Sequence, residues 1–182
     1  MREPALILLL SGCLLVNAQA QGKPSPAFED FATHGKFVGK PAAPKILSRL
    51  ARRFRTMIRD QAQNGPNFAG HYTVAYWGCG AGCMQLAIID AKNGNVFFPQ
   101  SLRTVMILLE QDPEEDKPLQ YRVDSNLLIV TGYKEGANGS ASGRGKFYYL
   151  WNGNELKLLR REKFVATGSA LVRFINSPIG VF

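Results

Sequence analysis

The stretch NGPNFAGHYTVAYWGCGAGC, residues 64–83, concentrates glycine, aromatic and cysteine residues, and it decides the fold that we predict. It opens on the turn sequence NGP and then alternates over residues 70–77. The alternation predicts a β-strand, because successive side chains of a strand point to opposite faces. The two predicted faces are Tyr72, Val74 and Tyr76 on one side, and His71, Thr73, Ala75 and Trp77 on the other.

Further strands are predicted on the C-terminal side of this stretch. Residues 84–90 are almost continuously apolar, which indicates a strand covered on both faces. The Asn93-Gly94 pair then leads into residues 96–98, and this sequence is typical of a hairpin because the pair readily adopts positive φ. A buried strand at residues 127–131 and a hairpin over residues 147–159 follow.

Three segments between the strands have weaker signals. Residues 101–109 fit a helix and a buried strand equally well, and an acidic loop follows at residues 110–116. The glycine-rich residues 132–145 predict a hairpin loop. The apolar tail, residues 164–182, is expected to pack on the domain.

On the N-terminal side, residues 45–63 have apolar residues at the i, i+3, i+4 and i+7 steps of an amphipathic helix. We expect this helix to pack on the sheet through Leu50, Phe54 and Ile58. Its opposite face carries the arginines Arg49, Arg52, Arg53, Arg55 and Arg59. The predicted fold class is therefore α+β: a curved, mostly antiparallel sheet built from hairpins, with this one helix packed on it.

The first twenty residues are typical of a secretory signal peptide. Arg2 precedes an apolar core, and Ala18-Gln19-Ala20 forms a small-residue cleavage site. The alternative is a lipoprotein signal, because Leu10-Ser11-Gly12-Cys13 resembles a lipobox and would anchor the chain at Cys13. Both alternatives predict an exported chain, periplasmic or secreted, with an irregular arm at residues 21–44 and a single domain at 45–182.

Only Cys79 and Cys83 stay in the mature chain, and an oxidising compartment favours a disulfide between them. Two alternatives remain open. A redox couple is disfavoured because the spacing is C-x-x-x-C rather than C-x-x-C at a helix N-terminus. A zinc site that recruits His71 lacks an evident fourth ligand.

No motif predicts a catalytic residue set, a cofactor or a metal. The glycines before Lys146 do not match a phosphate-binding P-loop, because Ser140 stands where the first glycine is required and Phe147 where Ser or Thr is required. The mature chain holds two histidines, His34 and His71, and neither lies in a nucleophile motif. The candidate binding surface that we predict comprises His71, Tyr76, Trp77, Lys134, Arg144 and Lys146.

The residues Asn67-Phe68-Ala69-Gly70-His71-Tyr72, followed by Trp77-Gly78-Cys79-Gly80 and Cys83, resemble a family of small exported proteobacterial proteins of unknown function. The resemblance covers residues 55–100 and implies export but no activity. In addition, Ser142-Gly143 with Lys146 and Tyr148 is similar to periplasmic lysozyme inhibitors, which are small β-rich proteins that plug an enzyme cleft.

Two function classes follow from the sequence. The first is a non-enzymatic binding module whose net charge of +8 suits an anionic envelope partner, such as phospholipid, lipopolysaccharide or an acidic protein. The second is a small envelope enzyme that uses His71. An exported chain predicts no nucleic-acid partner, and the mature sequence predicts no transmembrane span. An open cleft with an acid or hydroxyl within hydrogen-bond reach of His71 would favour the enzyme.

Overall fold

The computed structural model of the protein describes residues 23–102, 105–106, 117–135, 141–167 and 171–176, with side chains over 23–102, 117–132 and 145–163. The described helices are the 3-10 helices Phe28–Phe31 and Gln100–Leu102 and the α-helices α1 (Arg49–Arg53) and α2 (Arg55–Ala62). The described strands are β1 (Tyr72–Gly80), β2 (Cys83–Asp90), β3 (Val96–Phe97), β4 (Val105–Met106), β5 (Leu119–Tyr121), β6 (Leu127–Glu135), β7 (Ala141–Trp151), β8 (Leu156–Thr167) and β9 (Leu171–Asn176).

The strands pair antiparallel in the order β1-β2-β4-β6-β7-β8-β9, with β3 on β2 and β5 on β6. The mostly antiparallel, β-rich architecture with few helices is thus confirmed. The hairpin predicted around Asn93-Gly94 is present, because Ile88 pairs with Phe97 and Ile89 with Val96. The tail contributes β9, which pairs with β8.

The helical segment differs from the prediction of one helix over residues 45–63. Helix α1 begins after Ser48, whose hydroxyl accepts a hydrogen bond of 3.0 Å from the Ala51 N–H. Lys45 lies outside the helix because its N–H donates to the Gly94 carbonyl at 2.7 Å. Phe54 then leaves helical geometry, with φ −109° and ψ 22°, and so separates α1 from α2.

The two helices cover one face of the first hairpin. Ala51, Ile58 and Ala62 are buried in one apolar cluster with residues of β1 and β2. The strand residues of this cluster are Ala75, Trp77, Ala87 and Ile89. The predicted packing face was wrong in one residue, because Leu50 is 40% exposed and Ala51 takes the buried position. Ala51, Ile58 and Ala62 follow the i, i+7 and i+11 steps of one helical face, and Leu50 is turned about 100° away from Ala51 around the helix axis.

The other face of the hairpin belongs to the main core. Val74, Leu86 and Ile88 share this core with Leu128 of β6 and Tyr149 of β7. The first hairpin is therefore buried on both faces, which is why residues 84–90 lack an alternating polar pattern.

The N-terminal arm is fastened along the sheet. Phe28 and Phe31 pack against a third apolar cluster, formed by Leu127, Ile129 and Tyr148. The Phe37 N–H donates to the Gly70 carbonyl at 2.9 Å, and the Ala42 N–H donates to Ala91 at 2.8 Å. Phe28 and Phe31 thus anchor the arm by apolar contact, and the segment after them is held by backbone hydrogen bonds.

The observed secondary structure differs from the prediction in two segments, residues 132–145 and 101–109. Within the glycine-rich residues 132–145, β6 continues to Glu135 and β7 begins at Ala141, so the predicted loop is wrong at both ends. Within the described part of 101–109, Leu102 ends a 3-10 helix and Val105–Met106 form β4, so these residues form neither an α-helix nor one continuous strand. The signal segment, the acidic loop at 110–116 and the tail residues 168–170 and 177–182 lie outside the described residues.

Candidate functional site

The cysteine loop closes the first hairpin. Cys79 and Cys83 form a disulfide with their Cα atoms 5.1 Å apart, as predicted. Gly80 pairs with Cys83 directly beside a β-bulge, so the bridge fixes the irregular end of the β1–β2 ladder. Because both sulfurs are bonded to each other, the zinc alternative with His71 is wrong for this state.

The neighbours Tyr76 and Trp77 face opposite sides of β1. Tyr76 is 44% exposed and lines a depression of about 330 Å³ with Met84 and Tyr121. Trp77 is 6% exposed and points to the helix side. The strand period therefore separates these two predicted site residues instead of joining them.

A larger groove lies on the helix side of the hairpin, and we call it the arginine groove. Its volume is about 1100 Å³. Its cationic wall comes from α1, and its opposite wall comes from β1, β2 and the segment after β3. The residues that define it are Arg49, Arg52, Arg53, Phe54, Trp77, Gln85, Phe98 and Gln100.

Aromatic contacts hold the groove in shape. The rings of Phe54 and Trp77 lie 4.7 Å apart between centroids, and the Arg53 guanidinium lies 5.4 Å above the Phe54 ring. The indole N–H of Trp77 donates to the side-chain oxygen of Gln85 at 3.3 Å. Trp77 thus supports the groove from below, while the exposed arginines form its rim.

The helical arginines keep their charge available for a ligand. Within the described side chains, none of the five arginines of α1 and α2 forms an ion pair with a carboxylate. The only acid on these two helices is Asp60. Arg52 donates to the Leu47 carbonyl at 2.8 Å, which orients its guanidinium without neutralising it. An uncompensated group of guanidinium ions attracts oxyanions.

His71 lies elsewhere, in a cavity of about 600 Å³ between the arm and the first hairpin. Its Nε2 is 3.9 Å from Asp90 Oδ1, beyond hydrogen-bond reach. Both Asp90 oxygens already accept hydrogen bonds, from the Lys92 N–H at 2.8 Å and the Asn93 amide at 2.7 Å. Burial lowers the pKa of His71, Lys92 lowers this pKa further, and Asp90 partly opposes both.

The remaining predicted site residues belong to β6 and β7. Lys146 is partly buried and stands opposite Thr131 and Glu162 in the sheet register. Lys134 lies in β6 and Arg144 in β7, and their side chains are outside the described ones. The predicted surface is thus distributed, with His71, Tyr76 and Trp77 in three separate depressions.

The sequence placed the arginines on a helix and Trp77 on a strand without linking them, whereas the structure brings them together. Strand alternation placed Trp77 on one face of β1, but nothing in the sequence indicated that the helix covers this face. Gln85, Phe98 and Gln100 had no signal, since they reach the groove only through the pairing of β1, β2 and β3.

Other site classes find no support in the described residues. No group of three or more His, Cys, Asp or Glu residues there is arranged to hold a metal ion. Among the helices of the described part, none is long and apolar enough to span a bilayer.

Comparisons with protein-family models, with curated proteins and with solved structures find no match to this chain. Membership of the family of small exported proteins accordingly stays a prediction from the quoted residues.

Proposed function

We propose that this protein is an exported, non-enzymatic binding module that docks an anionic component of the cell envelope in the arginine groove. The observation that carries the proposal is the meeting of Arg49, Arg52 and Arg53, unpaired with any described carboxylate, above the Phe54–Trp77 pair. A fixed array of guanidinium groups binds phosphate and carboxylate oxygens through paired hydrogen bonds.

Exposed apolar side chains beside the groove favour a lipid surface among the anionic partners. Leu47 is 75% exposed, and Leu50 and Met57 are each 40% exposed, all in or next to the two helices. Basic residues interspersed with exposed apolar ones are typical of helices that lie in the headgroup region of an anionic bilayer. The favoured partner is therefore anionic phospholipid or the phosphorylated part of lipopolysaccharide, with an acidic protein as the remaining possibility.

The proposal includes the finer features predicted from the sequence. Export to the periplasm or the exterior is supported by the Cys79–Cys83 disulfide, because such bonds persist in oxidising compartments. Lipid anchoring at Cys13 stays the alternative to simple secretion. A curved sheet that presents the helices on one side also belongs to this proposal.

Binding to vesicles tests the proposal. Mature protein should sediment with phosphatidylglycerol vesicles and not with phosphatidylcholine vesicles at low salt, and about 0.5 M salt should release it because ions screen exposed charges. The triple variant R49E/R52E/R53E should lose this binding with little change in melting temperature.

A matched control separates the groove from net charge. The variant K40E/K157E/K163E changes the total charge equally, through exposed lysines outside the groove, and should keep most of the binding. Equal losses in both variants would show that overall charge, and not the groove, drives association. Binding that survives both high salt and the arginine reversals would contradict the proposal.

The alternative function, an envelope enzyme using His71, has one observation in its favour, namely that His71 lines an open cavity. The geometry gives it less support, because Asp90 is beyond hydrogen-bond reach and engaged in its own turn. An inhibitor-like function that exposes Tyr148 has no support either, because Tyr148 is 4% exposed and donates to Glu162 at 2.9 Å.

A further inference from the structure

The cavity beside His71 also contains the other histidine of the chain. His34 comes from the N-terminal arm and His71 from the start of the first hairpin, and both line the same space of about 600 Å³. Lys36 and Lys92 line it as well. We call this space the two-histidine cavity, and it shares no lining residue with the arginine groove.

Backbone contacts hold the cavity open in one shape. The Gly70 N–H donates to the Val123 carbonyl at 2.6 Å, and the Gly70 carbonyl accepts from Phe37 at 2.9 Å. Gly70 has φ +78°, and a Cβ there would come within 2.8 Å of the Gly35 carbonyl oxygen. The arm and the hairpin therefore approach each other so closely at Gly70 that no side chain fits between them. This close contact keeps the cavity wall in one shape, as in a preformed binding site.

Backbone strain is found at the same place. Ala69 has φ +45°, the one positive φ of a non-glycine residue in the described part of the chain, and it lines the cavity. Its N–H donates to the carbonyls of Arg122 and Ser125 at 3.3 and 3.2 Å, which hold the alanine in this conformation. Strained residues of this kind cluster at ligand sites, where the surrounding structure over-determines them.

The charged side chains that line the cavity, Lys36 and Lys92, are both cationic. Lys36 and Lys92 have no described ion-pair partner, and no carboxylate is among the lining residues. Asp90 Oδ1 lies 3.9 Å from Nε2 of the lining His71, but this carboxylate is buried and already accepts hydrogen bonds from its own turn. A cavity with two free ammonium groups and no acid on its wall favours an anionic ligand.

Neutral polar groups complete the wall. Thr33 and Asn126 supply a hydroxyl and an amide, each of which can both donate and accept hydrogen bonds, whereas the Asn152 amide is already hydrogen-bonded within its own turn. The rings of Tyr72 and Trp151, which also line the cavity, lie 5.2 Å apart between centroids in an edge-to-face arrangement.

We propose that the two-histidine cavity binds a small polyhydroxylated organic anion, of the sugar-phosphate or sugar-acid class. The two lysines hold the oxyanion, and Thr33, Asn126 and the imidazoles bind the hydroxyl groups. The volume fits this class, because small-molecule sites occupy roughly 300–1,000 Å³.

Nuclear magnetic resonance titration of the full mature protein tests the site, with glucose 6-phosphate, glucuronate and glucose as probes. Both anions should shift the imidazole resonances of His34 and His71 in a saturable manner, and glucose should not. Binding of glucose as tight as that of the two anions, or no saturable shift with either anion, would overturn the proposal. Response to one anion alone identifies which oxyanion source the cavity accepts and supports the site.

Variants locate the binding. K36Q/K92Q removes both ammonium groups from exposed positions and should weaken binding of the anions by at least about tenfold, since charge-assisted hydrogen bonds are the strong ones. K40Q/K157Q, which removes two exposed lysines outside the cavity, should leave the affinity unchanged. Equal weakening in both double variants would overturn the assignment to this cavity. Loss of vesicle binding in the arginine variant would not affect this titration, so the two proposals fail separately.

Discussion

The rings of Phe54 and Trp77 lie 4.7 Å apart between centroids, and this contact joins the break between the two helices to the first hairpin. Phe54 separates α1 from α2, and Trp77 is, with Ala75, one of the two β1 residues that the helices cover. The same contact forms the floor of the arginine groove. Packing and the proposed binding site therefore depend on one pair of aromatic residues.

Phe54→Ala should lower the free energy of unfolding by about 2–3 kcal/mol, because it removes a partly buried ring from its contact with Trp77. Leu50→Ala, at a position that is 40% exposed, should change it by less than about 0.5 kcal/mol. Urea unfolding measures both. A larger loss of unfolding free energy for Leu50→Ala would support the packing face predicted from the sequence, which includes Leu50.

Gly94→Ala should destabilise the protein more than a positive φ alone explains. Gly94 has φ +76°, and an added Cβ would collide with the Ala43 carbonyl oxygen of the arm. Gly35→Ala is the control, because Gly35 has φ +82° and open space around it. We expect a loss of about 1–2 kcal/mol for Gly35→Ala, the cost of left-handed backbone, and at least about 1 kcal/mol more for Gly94→Ala. Equal losses of unfolding free energy in the two variants, measured by thermal unfolding, would mean that the Ala43 carbonyl does not restrict the space at position 94.

Glu162→Ala should cost about 3–5 kcal/mol, because it removes the buried carboxylate that pairs with the Arg160 guanidinium and leaves the hydroxyls of Ser25 and Tyr148 without this acceptor. Glu162 is 2% exposed and accepts from Ser25 at 2.6 Å and Tyr148 at 2.9 Å, with Arg160 Nε at 3.0 Å. Lys157→Ala, exposed on the same strand, should stay within about 0.5 kcal/mol of wild type. Chemical denaturation distinguishes the two, and similar values for both would show that the network contributes nothing.

Alkaline pH should destabilise the protein partly through Tyr148. Burial and, after it, the hydrogen bond to Glu162 raise the pKa of Tyr148 from 10.0 to about 12. Because the folded state holds this proton more tightly than the unfolded state, the stabilisation is complete below pH 10 and is lost as pH rises towards about 12. Urea midpoints across this range should therefore fall less steeply for Tyr148→Phe than for wild type. Parallel slopes would contradict the raised pKa.

Loss of the disulfide should have a modest effect on stability. C79S/C83S opens a loop of only five residues, and the chain-entropy model gives about 2 kcal/mol for so short a closure. Before that comparison, alkylation of denatured, unreduced mature protein should label neither Cys79 nor Cys83. Complete labelling of both would show free thiols and reopen the metal and redox alternatives.

Local backbone chemistry made much of the fold predictable from the sequence. The Asn93-Gly94 pair predicted its hairpin correctly, because its positive φ depends on the residues of the turn themselves. Alternation over β1 assigned its faces correctly, with Val74 in the main core and Ala75 and Trp77 under the helices. The disulfide followed from two cysteines that are close in the chain.

Long-range contacts decided the remainder. The helical segment starts later than the predicted residue 45, because the Lys45 N–H donates a hydrogen bond to the Gly94 carbonyl. Strands replaced part of the predicted glycine-rich loop because β6 and β7 continue to pair there. A periodic pattern records only which side of an element is apolar. The register at its ends depends on hydrogen-bond partners that are distant in sequence.

The sequence by itself determined an antiparallel, disulfide-closed β-rich chain with a basic helical segment, because turn geometry, strand period and charge are properties of neighbouring residues. Only the tertiary structure placed the arginines over Trp77, and His34 with His71 in one cavity. Each of these sites joins side chains from segments far apart in the chain. The spatial distances between these side chains are set by the packing of the arm, the helices and the strands against common cores. No local sequence pattern encodes these distances.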